Sequence, residues 1–306
     1  MRNSHVLYYQ KQFKISYLKI LMALCIIMTS PIITNAQLNA TVFEEFSQSN
    51  LNSAIYNPSP TDTSYLFKFQ LDNITELGIF NNIGRFYLDV DKKLGLSKLN
   101  DNHYLGVSVY NSKQGDFINR SRFHVRYGHE NKIGSKTYLS TGATFGFVNY
   151  SFLTSQGGTG GSDFAPDGSI GFSIKHKNTS IGFAVQQIFN AVIIPVNQSF
   201  PLDRLYNINA NRDFNISQQV SSSTSLVYQI KSTSASTFSL NQSILFHKLI
   251  YVAANYHSFN KISLNAGIKK FRIYTHHIDL ILSYTSYRGD LKLKDNAFEF
   301  YISLTK

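Results

Sequence analysis

Between Asn119 and Tyr127 the side chains alternate without interruption. Arg120, Arg122, His124 and Arg126 hold one parity; Ser121, Phe123, Val125 and Tyr127 hold the other. Successive residues of a strand point to opposite faces, so period two reads as a strand. One face of this strand then carries three guanidinium groups and an imidazole, while the other is mostly apolar. Before it, Leu105, Val107 and Val109 alternate with Gly106, Ser108 and Tyr110; after it, Leu139, Ala143, Phe145 and Phe147 alternate with Ser140, Gly142, Thr144 and Gly146. The last run extends over about 15 residues, whereas strands of globular proteins average roughly 5 to 6. Long strands with a charged face and an apolar face predict an all-β fold: a transmembrane antiparallel β-barrel, apolar outward to lipid and polar inward to water.

The N-terminus reads as a cleaved signal peptide over residues 1–36. Lys11, Lys14 and Lys19 precede an apolar run at 20–28, and Thr34-Asn35-Ala36 offers cleavage positions, with Gln37 as the first mature residue. An N-terminal membrane anchor is the alternative, but the run is about half of the ~20 residues that a spanning helix needs. Cys25 is the only cysteine and lies within this run, so the mature chain has none and builds neither a disulfide framework nor a thiolate metal site. Loss of Arg2, Lys11, Lys14 and Lys19 lowers the formal charge from +11 by four, to +7. The remaining basic excess forms no patch, and an exported chain is not expected to meet nucleic acid.

After the signal no apolar run reaches 18 residues, which excludes a spanning helix but not a barrel, whose strands satisfy one another's backbone groups. Charged residues make up 15%, against roughly 25% in soluble domains, and 24 Phe with 19 Tyr supply interfacial girdles in a chain without Trp.

Residues 37–63 show no sustained alternation, and Asn57-Pro58-Ser59-Pro60 is a stop signal. We read 37–63 as an N-terminal periplasmic or plug segment and 64–306 as the barrel. A broken strand is read at 74–90, interrupted near Asn81-Asn82, and the full series amounts to about 14 strands. Stretches 153–167, 188–203 and 288–295 are expected as external loops, and 177–179 and His247-Lys248 as periplasmic turns. The stretch 91–103 is read as a long connection on the periplasmic side. A soluble β-sandwich also alternates, but usually with shorter strands.

Chemistry-bearing clusters are few. His276 and His277 fall on opposite strand faces, so only His277 and Asp279 share one, and two ligands do not make a zinc site. No Gly-x-Ser-x-Gly elbow supports a hydrolase, and Gly157-Gly158-Thr159-Gly160-Gly161 lacks the Lys-Ser/Thr of a phosphate loop. No metal, cofactor or catalytic residue is therefore expected. The face of Arg120, Arg122, His124 and Arg126 reads as a hydrated lumen wall or as a partner-binding surface for acidic groups, for example those of an inserted segment or of Glu44 and Glu45.

The order of segments resembles the PorP/SprF family of outer-membrane proteins of type IX secretion. The resemblance is carried by Phe46-Ser47-Gln48 followed by Tyr56-Asn57-Pro58, and by Leu105-Gly106-Val107-Ser108-Val109 followed by Asn111, Lys113, Gly115 and Phe117. Asp167-Gly168-Ser169-Ile170-Gly171, Ile181-Gly182-Phe183 and Phe189-Asn190 continue it. The chain departs from the family pattern at Ser59-Pro60-Thr61-Asp62, where Ala-Tyr-Ala-Gly is usual, and at Ser49, where an aromatic is usual. The resemblance implies a non-enzymatic, multi-pass barrel of the outer membrane that works with the secretion and gliding apparatus and partners an exported adhesin. A solute channel is the alternative function.

Overall fold

The computed structural model describes residues 46–60, 64–77, 83–94, 101–152, 160–196, 199–231, 234–258, 261–287 and 296–306. The expected signal peptide, Glu44, Glu45 and residues 61–63, 153–159 and 288–295 lie outside the described residues.

A single helical turn, α1 (Ser53–Tyr56), precedes the strands. The first seven are β1 (Phe67–Leu77), β2 (Gly84–Leu94), β3 (Asp101–Gln114), β4 (Ile118–Gly134), β5 (Thr137–Phe152), β6 (Gly161–His176) and β7 (Thr179–Gln186). Two-residue strands β8 (Val192–Ile193) and β9 (Phe200–Pro201) form a separate hairpin. The series then continues with β10 (Leu205–Asn215), β11 (Val220–Lys231), β12 (Ser234–Phe246) and β13 (Ile250–His257). It ends with β14 (Lys261–Ile273), β15 (His276–Tyr287) and β16 (Asn296–Thr305). Apart from β8 and β9, the strands close into one antiparallel barrel, in which β16 pairs with β1 and β7 with β10. Among the described residues the barrel has the fourteen strands that the alternation predicts.

Closure leaves no strand edge along the seam between first and last strands, as a backbone in hydrocarbon requires. Arg120, Arg122, His124 and Arg126 of β4 are buried in the lumen, while Val125 and Tyr127 are exposed on the outer face. Phe145, Ile170, Phe172, Leu264 and Leu282 continue that apolar exterior on other strands. Both termini of the barrel lie at one end. There, residues 135–136, 177–178, 216–219, 247–249 and 274–275 make turns of two to four residues, whereas 187–204 at the opposite end is long. Short turns face the periplasm and long loops the exterior in barrels of this kind, which orients the chain.

Three expected boundaries are corrected. The broken strand at 74–90 is two strands, because β1 runs to Leu77 and β2 starts only at Gly84. The expected connection 91–103 is strand at both ends: β2 continues to Leu94 and β3 begins at Asp101, since Asp91 is a lumen-facing position rather than a stop, and residues 95–100 lie outside the described residues. The expected external loop 153–167 contains the first part of β6, which pairs with β5 from Phe152↔Gly161 onward.

This part of β6 has a neighbour on one side only. β7 is half as long and its ladder with β6 ends at Ser169↔Gln186. An open edge invites foreign strands, and here two of its N–H groups are already engaged. Phe164 N–H donates to Asp163 Oδ1 and Gly168 N–H to Asp167 Oδ1, each at 2.8 Å. Pro166, between them, has no N–H to offer. The connection 187–204 then folds inward, burying Ile193, Phe200 and Leu202 against Val148, Tyr150 and Ala165 at the external end of the lumen.

Candidate functional site: the filled lumen

Residues 46–60 cross the lumen as an irregular segment tied to strands all round the wall. Its first anchor is Glu299 of β16. The carboxylate accepts the N–H of Ser47 at 2.7 Å, the hydroxyl of Ser47 at 2.5 Å and the N–H of Gln48 at 3.2 Å. Gln48 Nε2 donates to Ser283 Oγ of β15 at 2.8 Å, and Asn255 of β13 donates to the Ser47 carbonyl. Phe46 packs against Tyr87 and Tyr110 with ring centroids 6.1 and 6.2 Å apart. Asn52 reaches β1, donating to Asp72 Oδ2 at 2.5 Å and accepting from Gln70.

After α1 the segment cannot continue as helix, because a residue before proline is pushed out of the helical region; Asn57 is extended, at φ −146° and ψ 119°. The carbonyls that the turn leaves free are taken by the wall: Gln186 of β7 donates to Ile55 and Asn207 of β10 to Tyr56. Asn57 Oδ1 accepts the Ser59 N–H at 3.0 Å, while its Nδ2 donates to the Phe172 carbonyl at 3.1 Å and to Asn209 Oδ1 at 3.0 Å.

The wall is shaped to receive this stretch. Gly128 of β4 is paired with Gly142 of β5, and Gly142 with Gly171 of β6, so three glycines stand in register on the lumen face. A Cβ at Gly142 would overlap the Pro58 backbone, one at Gly171 the Asn57 side chain and Pro58, and one at Gly128 the Pro60 ring. The glycines therefore form a track along which Asn57 to Pro60 lie against the backbone of the sheet. Phe46, Ser47, Gln48, Tyr56, Asn57 and Pro58, the residues singled out in the sequence, are all buried inside the barrel.

Beside the segment lies the cationic face of β4, and its counter-charges come from the wall. Arg126 Nη2 is 3.0 Å from Asp89 Oδ2 and 3.4 Å from Asp91 Oδ2, both on β2. Arg122 Nε and His124 Nε2 stand 2.7 and 3.2 Å from Asp167 Oδ2 of β6. Arg120 lies between the rings of Tyr110 and Tyr150, at 5.0 and 5.9 Å from their centroids, close enough for cation–π attraction. Just below the barrel, Tyr65 donates its hydroxyl to Asp91 Oδ2 at 2.7 Å; burial, and then the charge of Asp91, raise its pKa well above the usual phenol value. The sequence showed the cations but not Asp89, Asp91 and Asp167, which lie on other strands.

The segment divides the lumen unequally. On the periplasmic side it leaves a cavity of about 730 Å³ lined by polar, charged and some apolar residues, among them Ser225, Asn211, Lys68, Lys175, Asp279 and Leu51. The space beside Arg122, His124 and Asp167 is only about 20 Å³, roughly enough for one water. His277 and Asp279 face that periplasmic cavity, and Asp279 accepts the Lys270 N–H at 2.7 Å. Among the described residues no group of three or more His, Cys, Asp or Glu is placed to hold a metal.

An antiparallel barrel with an apolar outer face, short turns at the end carrying its termini and a polar interior defines a β-barrel of the outer membrane. The model of the family described as "Type IX secretion system membrane protein PorP/SprF" matches residues 39–304, and the chain belongs to this family. Comparison with curated proteins gives no match. Among solved structures the chain is similar to the toluene transporter TodX of Pseudomonas putida, at a TM-score of 0.54 and 12% identity over 83% of this chain and 93% of that one. It is also similar to the toluene transporter TbuX of Ralstonia pickettii, at 0.52 and 10% over 78% and 88%. A FadL homologue of Pseudomonas aeruginosa matches at 0.51 and 8% over 78% and 89%. At such identities the likeness concerns the fold.

Proposed function

We propose that this barrel binds and anchors an exported, adhesin-type surface protein at the outer membrane, as a component of the type IX secretion and gliding machinery. Binding rather than catalysis is the mechanism. The observation that carries this reading is the lumen itself, crossed by residues 46–60 and flanked by the Arg126–Asp89 and Arg122–Asp167 pairs. A bore so filled offers its rims, not its axis, to a partner. The external loops and the inward-folded hairpin 187–204 would meet the exported protein, and the cavity on the periplasmic side would face the rest of the apparatus.

Arg120, Arg122, His124 and Arg126 support the wall in this reading, and an acidic partner segment would have to compete with Asp89, Asp91 and Asp167 for them. The test is purification of the tagged full-length protein from outer membranes, with identification of what co-elutes. A surface protein exported by the same pathway is expected in stoichiometric yield; its consistent absence would overturn the reading.

A solute channel is the second reading, favoured by the cavity of about 730 Å³ and consistent with the likeness to toluene transporters. It requires residues 46–60 to leave a continuous path, which bilayer conductance measures directly.

A further inference from the structure

On the outer face of β7, β10, β11 and β12 the apolar surface is interrupted by five contiguous polar side chains, Thr179, Arg212, Thr224, Ser222 and Gln242. Arg212 is paired in register with Thr224, and Thr224 with Gln242. Thr224 Oγ1 donates to Gln242 Oε1 at 2.5 Å, and Gln242 Nε2 donates to Ser222 Oγ at 2.6 Å. These side chains point away from the lumen, since Ser225, Val227, Asn241 and Ser243, of the opposite parity, are buried inside.

The patch starts at the periplasmic edge of the apolar band, where Arg212 is paired with Thr179 beside the turn 177–178, and runs into the band toward Gln242, with Ile208, Leu226 and Leu240 above it and Phe214, Ile216 and Phe246 below. A lipid-facing Arg is destabilising in hydrocarbon, and less so toward the interface. Arg212 rests on the ring of Phe214, 4.9 Å from its centroid. The patch itself contains no carboxylate.

From this placement we infer that the Arg212–Thr224–Gln242 patch is a docking surface, within the plane of the membrane, for another membrane-embedded protein that presents a carboxylate and hydrogen-bonding side chains. Lipid tails offer nothing to a guanidinium or an amide, whereas a protein surface can satisfy both, and polar side chains join membrane segments in this way. Ala210 and Ala254 flank the patch, and small residues let two backbones approach closely. A second copy of this chain does not fit: a two-fold contact here would set Arg212 against Arg212 with no acid between them. The surface is separate from the loops assigned to the exported protein, so it goes beyond the anchoring role.

The test uses the full chain in its native outer membrane, with a photoreactive benzoylphenylalanine in place of Gln242 and, as a control, in place of Leu264, which is 61% exposed on the outer face. The Gln242 position is expected to give an adduct with a peptide of another outer-membrane protein that carries Asp or Glu, and the Leu264 position only lipid. With the probe moved to Ser222, Arg212→Glu should lower the adduct yield at least tenfold, while Arg212→Lys retains it. Adducts with lipid alone, adducts with a second copy, or a yield indifferent to Arg212→Glu would each overturn the inference. A further variant separates docking from an internal strut: R212L/T224V/Q242L should keep or raise the barrel's thermal stability while abolishing association. Lower stability with association intact would show that the polar groups serve only the barrel.

Discussion

Ser47 gives both its N–H and its hydroxyl to the carboxylate of Glu299, 252 residues away in sequence, at 2.7 and 2.5 Å. The contact fastens the N-terminal segment to the last strand of the barrel, next to the seam that closes on β1. A hydrogen bond contributes about 0.5 to 1.5 kcal/mol net, so Glu299→Ala, which removes the acceptor of all three, should loosen the segment without unpairing the sheet. Limited proteolysis should then cut within 46–60 faster than in the wild type, while strand content by circular dichroism stays the same. Equal cleavage rates would mean that Glu299 is not the anchor.

The glycine track makes a steric prediction. Gly142→Val places a branched side chain where the Pro58 backbone lies. Overpacking of this kind costs about 1 to 3 kcal/mol when neighbours can shift, and expulsion of Asn57 to Pro60 is the available relief. A cysteine at Ser59, which is buried in the wild type, should become reactive to a water-soluble maleimide in the Gly142→Val background. Continued protection would show that the track is not what seats the segment.

Arg126 balances two buried carboxylates, Asp89 and Asp91, within 3.4 Å. Removing one partner of a buried pair costs about 3 to 5 kcal/mol because the remaining charge is left uncompensated. Arg126→Gln should therefore lower the thermal unfolding temperature clearly, and Arg126→Gln with Asp89→Asn should recover part of the loss. A single variant as stable as the wild type would remove the structural role assigned to this cation.

Asp163 and Asp167 protect the half-paired edge of β6. Asp163→Ala frees the Phe164 N–H, together with the Ile194 N–H that Asp163 Oδ2 accepts at 2.6 Å, and the variant should form more sheet-mediated oligomers in detergent, detectable by light scattering. Asp163→Asn, whose side-chain oxygen can still accept, should stay close to the wild type.

Much of the barrel was legible because a membrane strand has one partner on each face, lipid or lumen, and writes that difference into every second residue. Arg120 to Tyr127 shows it plainly. Legibility failed where lumen-facing charges mimicked loop residues: Asp91 read as the end of a strand, and Asp163, Pro166 and Asp167 as part of a loop. The cationic face of β4 was visible, but its partners were not, because β2 and β6 reach it only through closure of the sheet. Residues 46–60 showed motifs without periodicity. Many of their contacts lie with strands more than a hundred residues away, as with Asn57 and Phe172 or Ser47 and Glu299, and local sequence carries no record of those distances.

Single-channel current through planar bilayers tests the central claim that the N-terminal segment occupies the bore. The intact mature chain should give no steady conductance, and deletion of residues 46–60 should open one. A steady, solute-permeable current through the intact chain would contradict the account.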